Sequence, residues 1–144
     1  MSGSAAELGQ RGRAEIVGLH EFFVDWFTGA LDNTAVEFSR FTAATHPNFT
    51  MVVPSGQLVD KATISDGLRA AYGSHTDDDF RIEIHNINER VLTEASGLLT
   101  YEEWQFAGPR LTSARTRSVL FVAASHAPNG VAWRHLHETL LGVR

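Results

Sequence analysis

The sequence predicts an α+β fold: N-terminal helices packed on a strongly curled antiparallel sheet, forming a cone with an internal pocket. Three observations carry this. Apolar residues recur at three- and four-residue steps over residues 15–31, alternating runs occupy the chain from Phe80 onward, and short turns separate those runs. Helices first and a meander of strands second is the α+β order.

The first element is EIVGLHEFFVDWFTGAL, residues 15–31, where Ile16, Leu19, Phe23, Trp26, Phe27 and Ala30 form one broad apolar face of a helix. Gly29 and Asp32-Asn33 mark its end. A shorter helix follows through Val36, Phe38 and Phe41 and closes before His46-Pro47, because the residue before proline resists helical geometry. Phe49 to Val53 reads as a short strand, Pro54-Ser55-Gly56 as a turn and Gln57 to Val59 as the return strand. Asp60 caps a third helix through Ile64, Leu68, Ala71 and Tyr72, which Gly73-Ser74 stops before a polar loop. Residues 80–92, 97–107, 111–125 and 131–141 are then four consecutive antiparallel strands. Several exceed the usual length, which implies strong twist.

Composition narrows the chemistry. A length of 144 residues fits one domain over residues 14–144, with residues 1–13 a flexible N-terminal arm. With no cysteine, a disulfide scaffold, a cysteine nucleophile and a thiolate metal site are all excluded. Twelve basic against 17 acidic residues, a net charge of −5, argues against nucleic acid as a partner. No apolar run is long enough to span a bilayer and the N-terminal segment lacks a signal peptide's apolar core, so no membrane partner and a cytoplasmic location are expected.

Turn positions give a register. A turn centred on Gly108-Pro109 opposes Glu103 to Arg115 and Tyr101 to Arg117. A tip at Pro128-Asn129 opposes Phe121 to His135, Val119 to His137 and Arg117 to Thr139. All these positions are odd, so they share one sheet face. That face sets Tyr101, Glu103, Arg115, Arg117, His135 and His137 among Leu99, Val119, Phe121 and Trp133, the make-up of a small-molecule pocket. The polar centre of the odd face favours it as the interior, leaving the even face, with Trp104, Phe106, Leu120, Val122, Leu136 and Glu138, to pack against a second copy; the reverse assignment puts the helices on the even face and the interface on the odd one.

The long helix with FFVDWF, the strand FTMVVPSG before a helix opening at Asp60, YEEW in a long strand and the closing strand WRHLHETLL together carry a family resemblance. Over residues 14–141 the chain resembles the SnoaL-like branch of the nuclear-transport-factor-2-like superfamily, with its cystatin-like fold, and most of all its small uncharacterised bacterial members. The resemblance implies the fold, a pocket and a homodimer. It implies no single reaction, since members include polyketide cyclases, ketosteroid isomerase, dehydratases and non-catalytic association modules.

The candidate catalytic set is His137, His135, Glu103 and Tyr101: imidazole as general acid or base, the carboxylate fixing its tautomer, the phenol donating a hydrogen bond; the alternative is a structural Glu–Arg–His network that satisfies buried polar groups. Arg115 and Arg117 either clamp an anionic ligand or pair with Glu103, and Trp26, Phe23, Trp133 and Met51 supply apolar wall. His135 and His137 stand about 7 Å apart along a strand, a spacing also found in metal sites. A third ligand would have to be Glu103 or His85, and the reading adopted is no metal and no cofactor. His75 to Asp79 lacks the spacing of a calcium loop and reads as a solvated turn. The expected function is a small-molecule pocket performing proton transfer of the isomerase, cyclase or dehydratase kind on an apolar or carboxylated metabolite. The alternative is a non-catalytic ligand-binding or dimerisation module.

Overall fold

A computed structural model describes residues 3–142. The elements run α1 (Ala5–Phe27), α2 (Ala35–Thr42), β1 (Thr45–Val52), β2 (Leu58–Asp60), α3 (Lys61–Ala70), β3 (Phe80–Leu92), β4 (Ser96–Ala107), β5 (Arg110–Ala123) and β6 (Val131–Leu140). One six-stranded sheet has the order β2-β1-β6-β5-β4-β3. Helices packed on this sheet make the α+β architecture expected. Two details differ. The sheet is mixed, since β1 runs parallel to β6, and it stays open between its edge strands β2 and β3 instead of curling up.

α1 starts at Ala5, where Ser4 accepts from the Glu7 amide as its cap. The flexible arm expected over residues 1–13 is therefore corrected across residues 5–13, whose Leu8, Gly9 and Gly12 are buried. At Gly12 the missing side chain serves close approach. A Cβ there would stand 3.1 Å from a Phe121 ring carbon and 3.2 Å from a Leu99 methyl. Thr34 and Asp60 cap α2 and α3 in the same way as Ser4.

Leu8, Ile16, Leu19, Phe22, Leu99, Val119, Phe121 and Trp133 belong to one continuous core between α1 and the sheet. Removing a Leu- or Phe-sized side chain from water contributes about 1.5–3 kcal/mol, so this layer dominates the attachment of helix to sheet. α2 adds Phe38 and Phe41, beside Trp26.

Candidate binding site

The β4–β5 register is the expected one: Glu103 opposes Arg115 and Tyr101 opposes Arg117. The β5–β6 register is not. Arg117 opposes Glu138, Ser118 opposes His137 and Leu120 opposes His135, and the pairing shifts between Leu120 and Phe121. The irregularity turns the inward sequence on β6 from Trp133 to Leu136 and Glu138. A one-residue slip exchanges the faces of a strand. His135 and His137 are accordingly corrected to the outer face: His137 is exposed, and His135 Nδ1 lies 2.8 Å from Thr50 Oγ1.

The inner face brings together a charged cluster under α1. Arg117 Nε donates to Glu138 Oε2 at 2.9 Å, its Nη2 lies 3.2 Å from Glu103 Oε2, and its Nη1 donates to the Tyr101 hydroxyl at 3.3 Å. Arg115 donates to Glu138 Oε2 at 3.1 Å and to Ser113 Oγ at 3.0 Å. From α1, His20 completes the group. Its Nδ1 donates to the Ile16 carbonyl at 2.7 Å, because a carbonyl can only accept. Its Nε2 therefore bears the lone pair and accepts from Arg117 Nη1 at 3.1 Å.

The electrostatics follow from burial. Burial pushes His20 down to about 4, against the pull of Glu103, so the imidazole is neutral at neutral pH. Burial alone would raise the Glu103 carboxyl, but the guanidinium charges of Arg117 and Arg115 outweigh it and hold it below the ordinary carboxylate value. Burial raises the Tyr101 phenol further above its usual value, so it stays protonated. Arg117 is raised despite burial, by Glu103, Tyr101 and Glu138. Two carboxylates and two guanidinium groups leave no surplus charge. Glu103 Oε2 is held by charge, from Arg117 Nη2 at 3.2 Å and Arg115 Nε at 3.9 Å, without a well-aligned hydrogen bond.

This cluster floors a cavity of about 240 Å³ with apolar walls. Of the expected residues, Glu103, Arg115, Arg117, Phe23, Trp133 and Met51 line it. Tyr101 lies behind Arg117, fully buried. Trp26 is directed elsewhere, its Nε1 donating to the Leu68 carbonyl at 2.8 Å. Trp133 is held by Glu15, a fully buried carboxylate on α1 that also receives Arg40 through two hydrogen bonds.

Glu138 and His20 are the members that sequence reasoning missed. The step from Trp133 to Leu136 breaks strict alternation and was the available sign of the irregularity that turns Glu138 inward. His20 sits four residues after Ile16 and three before Phe23, on the inward stripe of the helix.

Residues 12–142 match the family model of the sucrose-6-phosphate phosphohydrolase C-terminal region. Sucrose-phosphatase 1 of Nicotiana tabacum is 26% identical over 127 residues, covering 88% of this chain but 30% of that protein. A nuclear-transport-factor-2-like protein of unknown function from Pseudomonas aeruginosa superposes with a TM-score of 0.79 at 28% identity, covering 92% of this chain and 99% of the other. An uncharacterised protein with a cystatin-like fold from Caulobacter vibrioides superposes with a TM-score of 0.60 at 19% identity, covering 91% and 90% of the two chains. The nuclear-transport-factor-2-like architecture stands, and the family model that matches is that of the sucrose-6-phosphate phosphohydrolase C-terminal region.

Proposed function

Since this chain belongs to the sucrose-6-phosphate phosphohydrolase C-terminal family, we propose that it is a non-catalytic binding module whose cavity takes an uncharged polar small molecule. The observation that carries this is the closed state of the floor. A general base for neutral pH needs a titration point near that pH and a free lone pair. Glu103 is held low by Arg117 and Arg115, and the His20 lone pair is already taken by Arg117. That favours the binding alternative over proton transfer. A net-neutral floor also disfavours the carboxylated ligand first expected, because an anion would meet two buried carboxylates with no spare positive charge.

The size relation fits as well. The chain spans 30% of the length of the tobacco sucrose-phosphatases, so a binding role beside chemistry carried by the remainder of such proteins is economical. The test is a thermal-shift and calorimetric screen with D-glucose, D-fructose, myo-inositol, benzoate and indole, comparing wild type with Met51→Trp, which fills the cavity from its wall. The expected result is that one class raises the melting temperature of wild type alone and is recovered chemically unchanged. Turnover of the bound compound, or identical behaviour of the two proteins, overturns the reading.

A homodimer through the outer sheet face belongs to the same proposal. Leu98 and Leu120 are each 36% exposed there, and half-buried Trp104, Phe106 and Val122 share the face.

A further inference from the structure

The geometry points to an uncharged planar ring with an amide edge, an N–H beside a C=O, read by the side-chain amide of Gln105. This rests on the binding reading above and narrows it to a chemical class.

Most polar groups around the cavity are occupied with one another. Arg117 is shared between Glu138, Glu103 and Tyr101. Both terminal nitrogens of Arg115 are engaged, one by Glu138 and one by Ser113. Trp133 Nε1 donates to Glu15 at 2.8 Å, and the Thr45 hydroxyl donates to the Phe41 carbonyl at 3.1 Å.

Gln105 is different. It stands one alternation beyond Glu103 on the inward face of β4, lines the cavity and is only half-buried. A carboxylate can only accept, so the amide nitrogen must be the atom that faces Glu103. Nε2 accordingly donates to Glu103 Oε1 at 3.4 Å. That contact fixes which way round the amide sits. It leaves Gln105 Oε1 and the second Nε2 proton without a protein partner among the described residues. Glu103 is itself held by Arg117 Nη2 at 3.2 Å. The reading group is therefore set in advance through a chain of three side chains, and a group already in its bound arrangement costs less to engage.

An acceptor and a donor on one amide are complementary to the N–H and C=O of another. These two groups must share an edge to meet Gln105 together. An amide within a ring, or a primary carboxamide on one, has such an edge, whereas the trans amide of an open chain points them in opposite directions. A carboxylate has no proton for Gln105 Oε1 and adds charge to a neutral floor. An indole N–H satisfies Oε1 alone.

The walls account for the ring. Phe23, Phe27, Phe41, Phe49 and Trp133 line the cavity with aromatic surface. Phe23 and Phe27 stack with 5.8 Å between centroids, and the bond to Glu15 leaves Trp133 only its ring to present. Aromatic side chains favour a further ring, offset-stacked or edge-on. A cavity of about 240 Å³ holds the volume of about eight water molecules, which accommodates one such ring.

The test is isothermal titration with 2-pyridone and benzamide against N-methyl-2-pyridone, benzoate and indole. The Gln105 side-chain N–H pair and the Trp133 indole N–H are followed by NMR. Expected is saturation by 2-pyridone or benzamide at a concentration at least tenfold below that needed by the other three, with both sets of resonances shifting. Gln105→Leu should weaken that binding about tenfold at unchanged melting temperature and erase the preference over N-methyl-2-pyridone. Should that variant fail to fold, Gln105→Met serves in its place. Binding of N-methyl-2-pyridone, benzoate or indole as tight as that of the two amides overturns the ligand class and leaves the binding reading intact. Amide binding that the Gln105 variants leave unchanged overturns the assignment to Gln105. If none of the five binds, the amide class fails, and the binding reading fails with it unless one of the sugars or myo-inositol is held.

Discussion

His20 shows what burial does to a single side chain. An imidazole in water titrates near 6.5, but here it is 2% exposed, bonded at both nitrogens and pushed down to about 4. Glu103, Arg117, Glu138 and Tyr101 face it from the sheet. The sign of its pH effect follows directly. Between about 4 and 6.5 the unfolded chain binds a proton at this position and the folded chain does not, so stability rises with pH through that window and is lost as pH falls. The full effect is on the order of 3 kcal/mol. Urea denaturation at a series of pH values should show this loss in wild type and a flatter profile in His20→Gln. An equal slope in both would place the pH dependence elsewhere. Residue chemistry of this kind was only half legible from the sequence. The opposition of Glu103 to Arg115 and of Tyr101 to Arg117 could be read because a Gly-Pro turn fixes the β4–β5 register. The carboxylate that shares Arg117, Glu138, could not be placed, because its face depends on an irregularity one residue wide.

Elements tell a different story from residues. Every strand after Phe80 could be read within a few residues, since alternation and turn chemistry both point the same way. The start of α1 could not. Ser, Gly and Arg in its first turns resemble an exposed arm, and only tertiary packing reveals Leu8 as core, beside a Gly97 that has no room for a Cβ: one would stand 2.6 Å from a Leu8 methyl. Leu8→Ala should therefore cost about 2–5 kcal/mol, measured by chemical denaturation. A neutral result would return this segment to the status of an arm. The same packing explains why α1 can present His20 and Glu15 from one helix to two separate groups. His20 reaches the β4–β5 floor, and Glu15 fixes Trp133 on β6.

At the scale of the molecule, helices cover one face of the sheet and leave the other bare. If a second copy covers that face, Leu120→Lys should convert a dimer to a monomer in size-exclusion chromatography with light scattering while leaving the melting temperature of the isolated subunit close to that of wild type. A wild-type protein that is monomeric at high concentration would end the proposal. The strand order carries a last consequence, for how the chain folds. Among the described residues β6 lies between β1 and β5 and is the one strand that joins the β1–β2 hairpin to the β3–β5 meander, yet it is synthesised after all of them. Until it emerges from the ribosome, the two halves of the sheet have unpaired inner edges and no shared ladder. The parallel β1–β6 contact spans most of the sequence, a long loop closure that slows folding. A nascent chain stalled before residue 131 would hold two exposed strand edges, the form of this protein most prone to aggregate and most dependent on chaperones.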